Sequence, residues 1–193
     1  MNKNIILSGV GGQGILSIAA IIGQAALRAN LYIKQAEVHG MSQRGGDVQS
    51  NLRISSKPIN SDLIARGTAD LIIALEPMEA LRYVPYLAAE GWVVANSAPF
   101  CNIPSYPDQE AIIGALNGRG NTILLNVDEL AAEHKLERSA NMILLGATSL
   151  VLGIDFNELE QGIQDVFGAK GSKVVEQNLR ALALGQHMAK QDK

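Results

Sequence analysis

The sequence predicts an α/β fold in three layers, a sheet with helices on both faces, extended by further helices at its C-terminal end. Three observations carry this. Short apolar runs of strand length alternate with longer segments of helical periodicity up to about residue 138. A glycine cluster follows the first run and opens the first helical segment. Past residue 138 the alternation stops and helical segments follow one another. The 193 residues suit one domain, with an α/β part over 1–138 and a helical part over 139–193.

Taken in order, KNIILS (3–8) is a short apolar run closed by Gly9, the mark of a buried strand. ILSIAAIIGQAALRAN (15–30) is apolar on nearly all sides, as a helix is when it lies between a sheet and a second surface. LYIKQAEV (31–38) reads as a strand. In DVQSNLRISS (47–56), Val48, Ser50, Leu52 and Ile54 alternate with Gln49, Asn51 and Arg53, which predicts a half-buried strand, at an edge or in antiparallel pairing. ADLIIALE (69–76) is a buried strand. Pro77 then opens a helix through MEALRYVPYLAAEG that Gly91 stops. WVVANS (92–97) and NTILLNV (121–127) are strands, separated by a proline-rich loop and the helix DQEAIIGALNGRGN. DELAAEHKL (128–136) is helical, as are residues 139–153, 155–168 and 172–191, with Asp155 and Ser172 as N-caps. These last helices read as a cap or an interface.

Composition excludes several classes. The net charge is −3, no basic run occurs and aromatics are 4% of the chain. The phosphate-neutralising and base-stacking parts of a nucleic-acid surface are therefore thin. The single cysteine, Cys101, cannot form an internal disulfide and fits a reducing, cytoplasmic setting. It also leaves the chain unable to hold an iron–sulfur cluster alone, since such clusters take four thiolates. His39, His134 and His187 lie too far apart for zinc-ligand spacing. The N-terminal apolar stretch is split by glycines, unlike a secretory signal. The apolar stretch from Asn141 is too short to span a bilayer, so no membrane attachment is expected.

Two motifs carry candidate chemistry. SGVGGQGIL places Gly9, Gly11 and Gly14 in the G-x-G-x-x-G pattern, with Gly12 and Gln13 between them, at a strand-to-helix turn. Such a Rossmann-like turn offers free N–H groups to an anion. Equally, the glycines can serve only tight strand–helix packing. Ile15 and Leu16 stand where a Walker A loop needs Lys and Ser or Thr. A dinucleotide fold wants an acid about 20 residues on. Lys34 sits near that place and Glu37 comes late.

The second motif, EVHGMSQRGG, follows the second strand and should face the same crevice. A Ser42–His39–Glu37 triad is disfavoured, because neighbours on a strand point to opposite sides and no nucleophile-elbow pattern surrounds Ser42. Glu37 and His39 alone are too few for a metal. Two readings stay open. One is an anion or cofactor-edge site built on Arg44, Gly45 and Gly46 with Ser42 and Gln43. The other is a polar loop that shapes a subunit contact. Glu76 and Asn96, at strand ends, are further crevice candidates. Cys101 reads as an unreactive thiol, and Arg138 and Asn141 as helix-capping residues.

Together SGVGGQGIL, EVHGMSQRGGDVQSNLRIS, ADLIIALEPMEALR and RSANMILLGA resemble the gamma-type domain of 2-oxoacid:ferredoxin oxidoreductases, nearest its indolepyruvate branch, over about Asn4 to Leu184. The resemblance implies a Rossmann-like fold in a heteromeric complex. That complex converts an aryl 2-oxoacid and coenzyme A to acyl-CoA, carbon dioxide and reduced ferredoxin. It also implies that thiamine diphosphate, magnesium and the iron–sulfur clusters belong to a large partner subunit. This chain would bind no cofactor alone, supply no catalytic residue and line part of a shared cleft. Residues 45–47 read GGD, not the GDG of a thiamine–magnesium site. The apolar stretches 15–27 and 141–152 are either core or a face for that partner or for a second copy. Two other classes stay in view, a free-standing NAD(P)-dependent oxidoreductase and a purely structural assembly subunit.

Overall fold

The structure, a computed structural model, describes residues 1–40, 46–101 and 105–191. Six strands form one sheet: β1 (Asn2–Val10), β2 (Tyr32–His39), β3 (Asp47–Ser55), β4 (Ala69–Ala74), β5 (Leu87–Asn96) and β6 (Thr122–Leu125), in the order β2-β3-β1-β4-β5-β6. β1, β4, β5 and β6 run parallel. β3 pairs antiparallel with both β1 and β2. The antiparallel expectation for β3 therefore holds, while the edge position belongs to β2.

Period-two alternation divides the parallel strands between two cores. Ile5, Leu7, Leu71, Ile73 and Val94 face one core, which holds the buried side of α1 (Ile15–Arg28). Ile6, Ile72, Val93 and Ala95 face the other, under α2 (Pro77–Tyr83) and α3 (Gln109–Asn117). Helices thus cover both faces, as the sequence predicts.

The remaining helices are α4 (Val127–His134), α5 (Ala140–Leu152), α6 (Phe156–Phe167) and α7 (Ser172–Gln191). Contrary to the expectation of a cap, they join the α1 core. α5 is its centre, with Met142, Ile143, Leu144, Leu145 and Ala147 fully buried. Each such leucine or isoleucine adds about 1.5–3 kcal/mol. Both long apolar helices are therefore core; on α1, Leu16 and Leu27 are the large apolar side chains left exposed.

Glycines let these helices approach at backbone distance. A Cβ on Gly146 of α5 would stand 2.0 Å from the Leu182 carbonyl oxygen of α7. One on Gly185 would stand 1.8 Å from the Ile143 oxygen of α5. α6 approaches α1 in the same way, where a Cβ on Gly162 would meet the Ile21 oxygen at 2.8 Å.

Three local expectations need correction. The helix after Pro77 stops at Tyr83, not Gly91; Pro85 lies in a short 3-10 turn (Val84–Tyr86), and β5 begins at Leu87. Proline cannot continue an α-helix. Gly91 instead lies within β5, beside a register shift against β4, where a Cβ would meet the Ala69 oxygen at 2.8 Å. Asp155 sits at the N-cap of α6, but its side chain makes no capping bond, and Ser172 is the first residue of α7.

The α5–α7 contact yields a stability prediction. Gly185→Ala should lower the unfolding free energy by about 1–3 kcal/mol or more, because overpacking forces backbone shifts. Gly168→Ala, where a Cβ meets nothing within 4 Å, should change it by less than about 0.5 kcal/mol. Urea denaturation of both variants measures the contrast.

Candidate functional site: a cleft at the strand ends

The crevice lies where the sheet reverses its winding. From β1 the chain passes through α1 to the β2–β3 side, whereas β4, β5 and β6 follow on the other. Ligands of open α/β sheets bind at such switch points, beyond the carboxyl ends of the strands. Here a cleft of about 660 Å³ is lined by Gly12, Gln13 and Gly14 after β1, Leu75 after β4, Asn96 of β5 and Val127 after β6. Its opposite wall comes from residues 137–141 and from Lys170, Gln177 and Asn178.

The glycine loop is shaped by its own side chains. Gln13 folds back: its Oε1 accepts the Val10 N–H (2.7 Å) and its Nε2 donates to the Leu75 carbonyl (3.0 Å). Gly9 makes room for this, since a Cβ there would stand 2.7 Å from Gln13 Oε1. Gly12 and Gly14 have φ of +103° and +86°, values that side-chain-bearing residues rarely adopt. Gly12 faces open space. Gly14 is the N-cap of α1 and also receives α5, because Asn141 Nδ2 donates to its carbonyl (3.1 Å). Asn141 is thus no helix cap. It reaches 127 residues back along the sequence to fix the loop.

Asn96 is among the residues that line the cleft, and its amide is spent internally. Nδ2 donates to the Leu75 carbonyl (3.4 Å) and to Asp128 (2.9 Å), and Oδ1 accepts the N–H groups of Ala98 and Val127 (3.1 Å each). Glu76 is not among the residues that line this cleft. It is 1% exposed, caps α2 by accepting the Glu79 N–H (2.8 Å), and also accepts from the Phe100 N–H and the Tyr106 hydroxyl. Burial, then the bond to Glu76, raises the Tyr106 phenol above its usual range. Cys101 lies in the same loop and is exposed.

The second motif joins the first through its flanks. Gly40 N–H donates to the Asp47 carbonyl (3.0 Å), closing the base of the β2–β3 connection. Gly11 N–H donates to the Gly46 carbonyl (2.8 Å). Glu37 is exposed on β2, where its Oε1 accepts from Gln35 Nε2 (2.6 Å). Ser42, Gln43, Arg44 and Gly45, and the side chain of His39, lie outside the described residues.

This geometry disfavours a dinucleotide site. Glu37 pairs with Ser50 of β3, which pairs with Leu7 of β1. The end of β2 is therefore two strand spacings, about 10 Å, from β1, whereas a ribose-binding acid belongs on the adjacent strand. Sequence reading missed Ser17, Lys170, Gln177 and Asn178 as cleft residues. Ser17 follows the loop directly in the first turn of α1, whereas nothing local marks the other three, which only tertiary packing brings to the glycine loop.

Two measurements test the site's scaffold. Asn96→Ala strands the Val127 N–H, among other groups, and should cost on the order of 3 kcal/mol in urea denaturation. A cost under about 0.5 kcal/mol would contradict the bonding described. Tyr83, on α2, is raised from 10.0 to about 12, first by burial and then by the negative charge of Glu79. Above about pH 10 the unfolded chain releases this proton before the folded one does, so stability falls as pH rises from 10 towards 12. Unfolding free energies at pH 9 and pH 11 should show a smaller drop for Tyr83→Phe than for the unsubstituted chain.

Comparison with known proteins agrees with the fold and the motifs. Residues 4–187 match the family model described as pyruvate ferredoxin/flavodoxin oxidoreductase. The chain is 36% identical to the indolepyruvate oxidoreductase subunit IorB of Methanothermobacter thermautotrophicus, covering 96% of each chain. It is 30% identical to the 2-oxoglutarate synthase subunit KorC of Methanocaldococcus jannaschii, covering 99% of this chain and 96% of that one. Among solved structures, it resembles the 2-oxoglutarate:ferredoxin oxidoreductase of Magnetococcus marinus, solved with 2-oxoglutarate, coenzyme A and succinyl-CoA bound, with a TM-score of 0.77 and 26% identity. That match covers 98% of this chain and 31% of the longer one. With a family match across nearly its whole length, the chain belongs to the pyruvate ferredoxin/flavodoxin oxidoreductase family.

Proposed function

We propose that the chain is the small subunit of a cytoplasmic 2-oxoacid:ferredoxin oxidoreductase that acts on indolepyruvate or a related aryl 2-oxoacid. The observation that carries this is the 36% identity to an indolepyruvate oxidoreductase subunit over nearly all of both chains. The cleft is consistent with a supporting part. Of the polar side chains at its strand ends, Gln13 and Asn96 are committed to the scaffold. Nor do the chain's own residues fit the redox groups such a complex uses. One cysteine cannot supply the thiolates of a cluster, and the described residues contain no group of three or more His, Cys, Asp or Glu placed to hold a metal.

In this reading thiamine diphosphate, magnesium and iron–sulfur clusters reside in a large partner chain. Coenzyme A accepts the acyl group and ferredoxin accepts the electrons. The small subunit contributes its glycine loop (Gly9, Gly11, Gly12, Gln13, Gly14) and the second motif's Glu37, His39, Ser42, Gln43, Arg44, Gly45 and Gly46 as one wall facing the ligand or the partner. The Gly11–Gly46 bond supports treating the two motifs as a single surface.

Co-expression with a large subunit of this type should give a stable complex that reduces ferredoxin with indolepyruvate and coenzyme A, while neither chain does so alone. Full activity of the large subunit by itself would overturn the reading. A panel of indolepyruvate, pyruvate and 2-oxoglutarate separates the branches. Preference for 2-oxoglutarate would move the chain towards its 30%-identical relative.

A further inference from the structure

The two outer strands of the sheet are exposed to different degrees. β6 has four residues and borders a groove whose walls are Ile113 and Asn117 of α3 and Ala189 of α7. β2 has eight residues in unbroken antiparallel register with β3, and neither a bulge nor a proline interrupts it. Native sheets usually blunt such an edge, because its outward N–H and C=O groups are a template for another strand. A lysine is one common device. Here the Lys34 ammonium is instead drawn to the Asn60 carbonyl (3.3 Å), in the loop that Arg53 of β3 also holds through the Ser61 carbonyl (2.8 Å).

The register fixes which backbone groups face outward. Gly40 continues the β2–β3 pairing opposite Asp47, and its N–H donates to the Asp47 carbonyl. Hydrogen-bonded pairs alternate along an antiparallel ladder, so Tyr32, Lys34, Ala36 and Val38 bond to β3. Ile33, Gln35 and Glu37 direct their backbone groups away from it. The side chains of Tyr32 and Val38 share one face of the sheet and are 51% and 55% exposed, among the most exposed large apolar groups of the described residues.

We propose that β2 pairs antiparallel with β2 of a second copy, across a twofold axis at Gln35, and so joins two six-stranded sheets into one. Such an axis stands perpendicular to the sheet and keeps each face on its own side. Centred at Lys34 it would set two lysines against each other, and centred at Glu37 two glutamates. Centred at Ala36 it would leave Tyr32 opposite Gly40, which has no side chain. Centred at Gln35 it sets Tyr32 opposite Val38 of the second copy and Lys34 opposite Ala36. These are the non-hydrogen-bonded pairs, in which side chains stand closest. The two exposed apolar groups of the strand thus cover each other twice, while Gln35 exchanges backbone bonds with its counterpart. β2 runs in the direction of β1, so the axis turns the two clefts to opposite ends and pairing closes neither. Strand pairing alone buries no more than the low end of the roughly 1,200–2,000 Å² of specific complexes, so the dimer is weak, with a dissociation constant of about 10–100 μM. The proposal concerns this chain by itself and does not rest on the assembly proposed above.

Sedimentation equilibrium of the full chain from about 2 to 300 μM tests it. The average mass should rise with concentration from 20.5 kDa towards twice that value. Val38→Lys places a lysine opposite Tyr32 and beside Lys34 of the second copy, and should weaken association on the order of tenfold or more. Gln35→Pro removes the N–H on the axis and spares the ladder to β3, so it should weaken association as much. Leu27→Lys, at an equally exposed apolar position (57%) on α1, should leave association unchanged. If Gln35→Pro loses its thermal transition, Val38→Lys decides alone. A chain that stays monomeric up to about 300 μM overturns the proposal and leaves the edge to a different chain. A dimer that Val38→Lys does not weaken also overturns it, since the contact then lies on another surface.

Discussion

The carbonyl oxygen of Leu75 is the point on which the upper end of this molecule depends. A carbonyl has two lone pairs, and this one accepts two side-chain amides, Gln13 from the loop after β1 and Asn96 from the end of β5. Asn96 then fixes Val127 at the start of α4. Four parallel strand ends are thereby referenced to one atom. A glycine loop with two residues at positive φ would otherwise be poorly determined. Gln13 sets its inner side, and Asn141 sets its outer side at Gly14. The cleft floor is rigid because side chains, not only the sheet ladder, satisfy its backbone.

Much of the fold was legible. Strands buried on both faces leave runs such as Ile5–Ile6–Leu7 and Leu71–Ile72–Ile73, and these need no tertiary information. The stretch from Val84 to Gly91 was not legible. LAAEG carries no β-branched residue, and its strand conformation comes from pairing Leu87 with Ala69 across an irregular register. By propensity alone, Gly146, Gly162 and Gly185 are unfavourable inside helices. Their reason is the backbone of another helix, which no local pattern records. In the site, residue types could be read but not their direction. Gln13, Glu76 and Asn96 are polar residues at strand ends in either case, and only the tertiary structure turns all three into the scaffold.

The strand order also changes the meaning of the second motif. A glycine turn after the first strand invites comparison with dinucleotide folds, in which the second strand lies beside the first. Here the chain forms a hairpin, and its return strand β3 takes that place. Glu37 is carried to the sheet edge, while Gly46, where the chain enters β3, is brought against Gly11. The hairpin thus replaces one long-range relationship, acid to ribose, with another, loop to loop.

That last contact couples local stability to the site. The Gly11 amide hydrogen is held by a carbonyl at the foot of the hairpin, not by a strand ladder or a helix. Its exchange with deuterated solvent is therefore gated by separation of the two loops and not by global unfolding. Whatever settles on this surface, small molecule or protein chain, will slow that one amide if it holds the loops together and hasten it if it parts them. The protein carries a built-in gauge of occupancy at a single backbone nitrogen.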